Sequence, residues 1–346
     1  MSQRLVLHVG LMKSGTSFIQ SHLFANQDLL RERGVLVPGR QWSDQVQAAL
    51  DVIRGEGQVW DRLADEVRAH DGTSVVSMEF LGPARPAVVR RAVGAFPDHD
   101  VDVVVTVRDL NRSIAAMWQE TIQNGRTWTW PDYVDGLTAW RPGHRAPDQQ
   151  PTEAGRTFWR QQNAVRICRT WADEVGTDHL ALVTVPHPGA PRGLLWERFA
   201  EVLGTDPEGF APAPAANESI GAASALALRR LNELLDDAGL AFPQGAQLRK
   251  KLLAKQVLAA RKAAEPAIGL PVTGWVRDHA GQMRDGLQDL GVRLVGDWGD
   301  LEPVEVPGVD PATVPEREVT EAALAGLSGL LGTWIRGEHE PAAAES

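Results

Sequence analysis

The sequence predicts an α/β protein: a parallel β-sheet flanked by helices, with a mostly helical C-terminal region. Three observations carry this. Short apolar runs alternate with helix-period patterns through about residue 205, which implies parallel strands joined by crossover helices. The clearest run, Val101-Asp102-Val103-Val104-Val105-Thr106-Val107, is apolar at almost every position, as in a strand covered on both faces. Beyond the stiff stretch Phe210-Ala211-Pro212-Ala213-Pro214-Ala215, the pattern is mostly helical. The expected division is an α/β core at 1–210 and a helical region at 211–346 packed on it.

The first strand is expected at 4–9. A helix follows the next turn and runs to Arg33, with Phe18, Ile19, Leu23, Leu29 and Leu30 on one face and Gly34 as its stop. Val35-Leu36-Val37-Pro38 is a short extended piece, and helices fill 44–54 and 57–70. A buried-type strand, 74–78, precedes a helix at 85–95 and the strand 101–107. Helices are then expected at 110–124 and from Thr129, which suits an N-cap with Pro131 and Asp132 in the first turn. Residues 141–155 read as a loop able to move. A long helix at 156–175, a strand at 179–185 and a helix at 192–204 complete the alternation. Further helices are expected at 221–238, 246–264, 273–290 and 318–335, and the tail 341–346 as disordered.

Composition excludes several classes. The net charge is −10, which offers nothing to nucleic acid or to an anionic membrane surface. No apolar run reaches the roughly 18 residues that cross a bilayer. The chain enters its first strand at once, leaving no room for a signal peptide, so a cytoplasmic location is expected. One cysteine, Cys168, excludes an internal disulfide and reads as a core thiol. The nine histidines are scattered and form no metal-ligand spacing.

The chemistry concentrates in one loop. The chain has five lysines, four of them between 250 and 262, so residues 1–249 contain only Lys13. It lies in Gly10-Leu11-Met12-Lys13-Ser14-Gly15-Thr16-Ser17, between a strand and the start of a helix. A Gly-bounded turn with Lys and hydroxyls at a helix N-terminus is the layout of a phosphate cradle. In a chain that otherwise uses Arg, Lys supplies a compact point charge that fits a tight loop. Ligands of an open parallel sheet bind outside the carboxyl ends of its strands. Loop 10–17, Glu79 and Arg108 all fall there, each just after a predicted strand.

The order of residues in the loop differs from a Walker A motif, in which Lys follows the second Gly. Here Lys13 precedes Gly15. The segment resembles the 5′-phosphosulfate loop of sulfotransferases that use 3′-phosphoadenosine 5′-phosphosulfate (PAPS), with a P-loop-type fold. Val107-Arg108-Asp109-Leu110-Asn111-Arg112-Ser113 and the helix after it resemble the 3′-phosphate segment of the same family. Trp118 and Gln119 fall where that family has an aromatic and a Gln. Ala116 occupies its Ser position, with Ser113 or Arg112 as a substitute contact from a neighbouring turn.

The resemblance spans about residues 1–205 and implies roles. Lys13 would neutralise charge on the leaving oxygen, and Ser14, Gly15, Thr16 and Ser17 would hold the 5′-phosphate. Arg108, with Arg112, would hold the 3′-phosphate; the alternative is an Arg108–Asp109 ion pair at the helix start. Glu79 would be the general base, or else a first-turn Glu at a helix N-terminus, with His22 as the second candidate base. His8 reads as a core residue. No metal is expected. The acceptor would be a small molecule or carbohydrate bearing a hydroxyl or amine. Two other functions fit the residues: a P-loop nucleotide or small-molecule kinase, and a non-catalytic nucleotide-binding protein. Of the twelve tryptophans, Trp118, Trp128, Trp130, Trp140 and Trp159 cluster in a region that the resemblance gives to the acceptor, although core positions are the commoner use. The run Phe158-Trp159-Arg160-Gln161-Gln162-Asn163 is a further candidate for the acceptor side, and Arg192-Gly193 is a faint 3′-phosphate signal. Arg249, Lys250, Lys251, Lys255, Arg261 and Lys262 read as a solvated helix face. The sequence does not give the oligomeric state.

Overall fold

A computed structural model describes residues 3–139, 152–212, 219–240 and 245–337. The expected tail 341–346 and Trp140 lie outside them, as do most of the expected loop 141–155 and part of the linker 210–215.

Six parallel strands form one sheet: β1 (Arg4–His8), β2 (Val35–Leu36), β3 (Thr73–Ser77), β4 (Asp100–Val107), β5 (Leu180–Thr184) and β6 (Arg293–Val295). Their order is β2-β3-β1-β4-β5-β6. The all-parallel sheet with flanking helices is the α/β class that the alternating pattern implied. β1 lies between β3 and β4, with His8 in register with Ser77 on one side and Val104 on the other. Both faces are covered. Leu5, Leu7, Val103 and Val105 pack into one apolar layer, while Val6, Val75, Val104 and Val183 pack into another. Burial on both faces explains why these strands read as continuous apolar runs.

The chain forms two compact units, each from three segments. One comprises Met1–Ser113, Thr157–Ala216 and Thr273–Val304; the other Ile114–Arg156, Asn217–Val272 and Glu305–Ser346. The sheet is therefore not confined to 1–210, because β6 comes from beyond the linker. Asp300 holds that segment at the sheet edge, accepting from Thr184 Oγ1 and Arg198 Nη1, both at 2.7 Å. Three residues are too short a run to register as a strand in sequence.

Two expected long helices are broken at asparagines. Thr16–Ala25 and Gln27–Glu32 are separated by Asn26, whose amide bonds both backbone groups of Ala211 (2.8 and 3.2 Å). Glu153–Gln162 and Ala164–Val175 are separated by Asn163, which caps the second by accepting from the Arg166 N–H at 2.9 Å. Gly34 (φ 78°) and the Thr129 cap are as expected. Residues 247–258 form a π-helix, followed by a 3₁₀ turn at 259–264. Of the basic group expected as a solvated face, Lys251, Lys255 and Lys262 are exposed, whereas Arg249 is buried and Lys250 pairs with Glu120 at 2.6 Å. Among the described residues, no helix is long and apolar enough to cross a membrane.

Candidate functional site

Past His8 the chain keeps to β4 for three more residues. The Val9 and Leu11 N–H groups donate to Val104 O and Thr106 O, both at 2.9 Å. It then turns at Met12 and Lys13 and enters the helix Thr16–Ala25 through Gly15. Lys13 has φ 62°, the one non-glycine residue among the described residues in the left-handed region. That conformation costs an L-residue with a Cβ about 1 kcal/mol or more relative to glycine. Gly15 is also left-handed (φ 81°), and a Cβ there would stand 2.4 Å from Leu195 Cδ2.

A chain of buried polar groups supports the loop from below. His8 Nδ1 lies 2.7 Å from Ser77 Oγ, and His8 Nε2 lies 3.1 Å from Thr106 Oγ1. Thr106 Oγ1 is 2.7 Å from Ser14 Oγ, which donates to Leu11 O at 2.5 Å. Each hydroxyl has one proton, so the last bond fixes the others. Ser14 donates to Leu11, Thr106 to Ser14, His8 Nε2–H to Thr106, and Ser77 to His8 Nδ1. This order needs a neutral His8, and burial pushes its pKa down to about 3. His8 is thus the core residue expected. Ser14 differs from expectation: its hydroxyl and its N–H both bond Leu11 O, so it shapes the loop rather than facing outward. Thr16 and Ser17 open the helix, where the first N–H groups have no intrahelical acceptor.

Glu79 begins a 3₁₀ turn directly after β3. The Gln20 amide, on the helix that follows the loop, donates to Glu79 Oε2 at 2.7 Å and to Ser77 O at 3.1 Å. Gln20 therefore fixes the carboxylate to the same helix that carries the loop. His22, the second candidate base, lies two residues and about 200° round that helix from Gln20. It stacks on Trp196 with ring centroids 5.0 Å apart, and burial lowers its pKa. Its ring belongs to the opposite, packed side.

Arg108 follows β4. The alternative ion pair with Asp109 does not form. Asp109, fully buried, instead takes the Arg112 Nε–H and accepts from the Arg112 backbone N–H at 3.0 Å. Arg112 also donates to Pro186 O (3.1 Å) and Val185 O (3.3 Å), so its fork is committed to the protein. Arg108 donates one bond, to Arg112 O at 2.7 Å, and its buried Nε has no hydrogen-bond partner. Burial, then the neighbouring Arg112 charge, lower its pKa to about 10 against the pull of Asp109, so it stays cationic at neutral pH. A half-buried guanidinium with an unmet donor and no carboxylate partner suits an anion.

The structure thus brings loop 10–17, Glu79 and Arg108 to the carboxyl ends of three adjacent strands, β1, β3 and β4. It does not free Ser14 or Arg112 for a ligand. Sequence reasoning missed Gln20, Thr106 and the role of Gln162, whose amide donates to Met12 O at 2.7 Å and braces the loop beside Lys13. Thr106 had a signal: it is the lone hydroxyl in an otherwise apolar strand end. Trp118 is fully buried, with its indole N–H on Trp128 O at 3.1 Å, and Trp130 is also buried. Trp159 is buried as well and packs on Trp275 and His279. Arg192 is exposed on the segment after β5. Cys168 is the buried thiol expected, pushed up to about 12 by burial. Among the described residues, no group of three or more His, Cys, Asp or Glu is placed to hold a metal ion.

No family model matches the chain, and no curated protein does. The crystal structure of a sulfotransferase from Alicyclobacillus acidocaldarius resembles it with a TM-score of 0.41 and 14% identity, covering 73% of this chain and 96% of that one. A likeness at that level carries no argument about function.

Proposed function

We propose that the chain transfers a sulfuryl group from PAPS to a hydroxyl, or an amine, of a small-molecule or carbohydrate acceptor. One observation carries the reading. The single lysine of residues 1–249 is also the single described non-glycine residue held in the left-handed region. Glycine would occupy that position without strain, so a lysine there points to a use for its side chain. The residues present fit the donor: a Gly-bounded cradle at a helix N-terminus for one phosphate, and Arg108, with its unmet donor, for another.

The donor supplies the sulfuryl group and a phosphate as leaving group. Gly15, Thr16 and Ser17 present the first N–H groups and the positive end of the helix to the 5′-phosphate, each charge–dipole contact contributing about 0.3–1 kcal/mol. Arg108 binds the 3′-phosphate. Glu79, aimed by Gln20, takes the acceptor proton as the acceptor oxygen bonds to sulfur. Lys13 neutralises the oxygen that departs when the S–O bond breaks. Ser14, Thr106 and His8 keep the loop in shape, Arg112 holds the segment after β4, and a cytoplasmic setting suits the single buried thiol.

The test is turnover of PAPS with an acceptor panel. Wild type is expected to release adenosine 3′,5′-bisphosphate in step with sulfated product, and Lys13→Ala to lose that activity. Wild-type turnover in Lys13→Ala removes the assignment.

A further inference from the structure

The turn that carries Lys13 has a definite type. The Ser14 N–H donates to Leu11 O at 3.3 Å, which closes a four-residue turn with Met12 and Lys13 at its centre. Lys13 has φ 62°, whereas Met12 lies outside the left-handed region. That combination is a type II turn, whose third position normally goes to glycine. A type I turn closes with the same bond and takes a lysine there at negative φ. The two differ by one motion, in which the central Met12–Lys13 peptide turns over. The Ser14–Leu11 bond therefore permits both, and a contact to the Met12 carbonyl separates them.

Gln162 makes that contact. Its amide Nε2 donates to Met12 O at 2.7 Å. The donor comes from a fixed place. Gln162 is only 2% exposed and ends the helix Glu153–Gln162, and Asn163 starts the next helix as its cap. One turn back on the same face, Phe158 and Trp159 are buried, and the Trp159 ring packs against those of Trp275 and His279 at 6.3 and 5.7 Å. Turning the peptide over would set the Lys13 N–H where the carbonyl stands. A peptide nitrogen lies about 1 Å nearer the chain axis than the oxygen, so the Gln162 amide, which reaches the oxygen, falls short of it.

We propose that Gln162 is a positioning residue for Lys13: its bond to Met12 O holds the Met12–Lys13 peptide in the type II orientation and so keeps the lysine in the left-handed region. Without the donor, the type I turn removes the strain of a left-handed lysine at no cost in backbone bonds. The Lys13 Cα–Cβ bond then leaves in another direction, and the ammonium is carried away from the leaving oxygen. The rest of the cradle survives, because Gly15 packs on Leu195 and Arg108 bonds Arg112 O independently of this peptide. The role in turnover rests on the proposed reaction; the choice of turn does not.

The test is a cycle of melting temperatures. Gln162→Met keeps the length of the side chain and removes the donor. In wild type its cost is offset by the strain that the turned-over peptide relieves. In a Lys13→Gly background there is no strain to relieve, so the drop should be larger there by about 1–2 °C. With PAPS and an acceptor, Gln162→Met is expected to lower kcat by about tenfold or more while binding adenosine 3′,5′-bisphosphate like wild type. Gln162→Glu keeps the shape and serves as a second variant. Ionised, it cannot donate to a carbonyl; protonated, it can, so its turnover relative to wild type should recover as pH falls. Equal drops in the two backgrounds overturn the proposal. So does a kcat loss matched by an equal loss of bisphosphate affinity, or a Gln162→Glu variant that does not recover. A wild type that turns over no PAPS removes the reaction instead, and the melting cycle still decides the turn.

Discussion

Gly10→Ala probes the cradle without replacing any residue assigned to chemistry. Gly10 does not need glycine for its backbone, since its φ is outside the left-handed region. It needs the space. An added Cβ would lie 2.4 Å from Thr106 Oγ1, 2.7 Å from Thr16 Cγ2 and 2.9 Å from His8 Nε2. All three neighbours are buried and none is the end of a flexible chain. Overpacking of this kind costs about 1–3 kcal/mol. Thr106 cannot retreat without stretching its bonds to Ser14 and His8, each contributing about 1 kcal/mol. The expected loss is therefore about 2–4 kcal/mol in chemical denaturation, with weaker binding of adenosine 3′,5′-bisphosphate. In a Thr106→Ala background the nearest contact disappears, and the cost of Gly10→Ala should fall by about 1–2 kcal/mol. A Gly10→Ala variant as stable as wild type, or one equally destabilised in both backgrounds, would refute the account of what holds the loop.

Glu79→Gln should bind adenosine 3′,5′-bisphosphate like wild type and lose most of its turnover; retained turnover assigns the base elsewhere. Gln20→Ala should leave bisphosphate binding in place but lower kcat by about tenfold or more, because the carboxylate loses the bond that aims it. His8→Asn tests the buried chain through pH. Burial depresses the His8 pKa from 6.5 to about 3, so between those values the unfolded chain binds a proton that the folded chain does not. The stabilisation is whole above pH 6.5 and is lost as pH falls, by about 2–3 kcal/mol at about pH 4.5. Wild type should thus lose that much more stability than His8→Asn on acidification, as measured by denaturation at the two pH values; equal losses would contradict it.

Strands β1 to β5 and the loop were legible because their signals are local: β-branched runs, bounding glycines, an isolated lysine. The carboxyl-end placement of Glu79 and Arg108 followed from the same pattern. What the sequence could not show is competition between side chains. Nothing in Arg108-Asp109-Leu110-Asn111-Arg112 says that Asp109 will choose Arg112, which leaves Arg108 without a carboxylate and Arg112 without a free fork. Ser14 reads as a ligand hydroxyl, yet its partner is a threonine 92 residues away. Gln20 and Gln162 act over 59 and 150 residues of separation. Asn26 and Asn163 read as ordinary helix residues until their backbone partners are in place. Arg249 reads as solvated because charge density in a sequence says nothing of what packs over it.

Thermal stability with adenosine 3′,5′-bisphosphate, compared with ATP plus Mg²⁺, tests the central claim most directly. A ligand at about 100 times its Kd adds about 2.7 kcal/mol, a visible shift. The account predicts a shift with the bisphosphate alone, unchanged by Mg²⁺ and lost in Arg108→Ala. A shift only with ATP and Mg²⁺ would contradict it in favour of a kinase, and no shift with either would leave the loop without its proposed ligand.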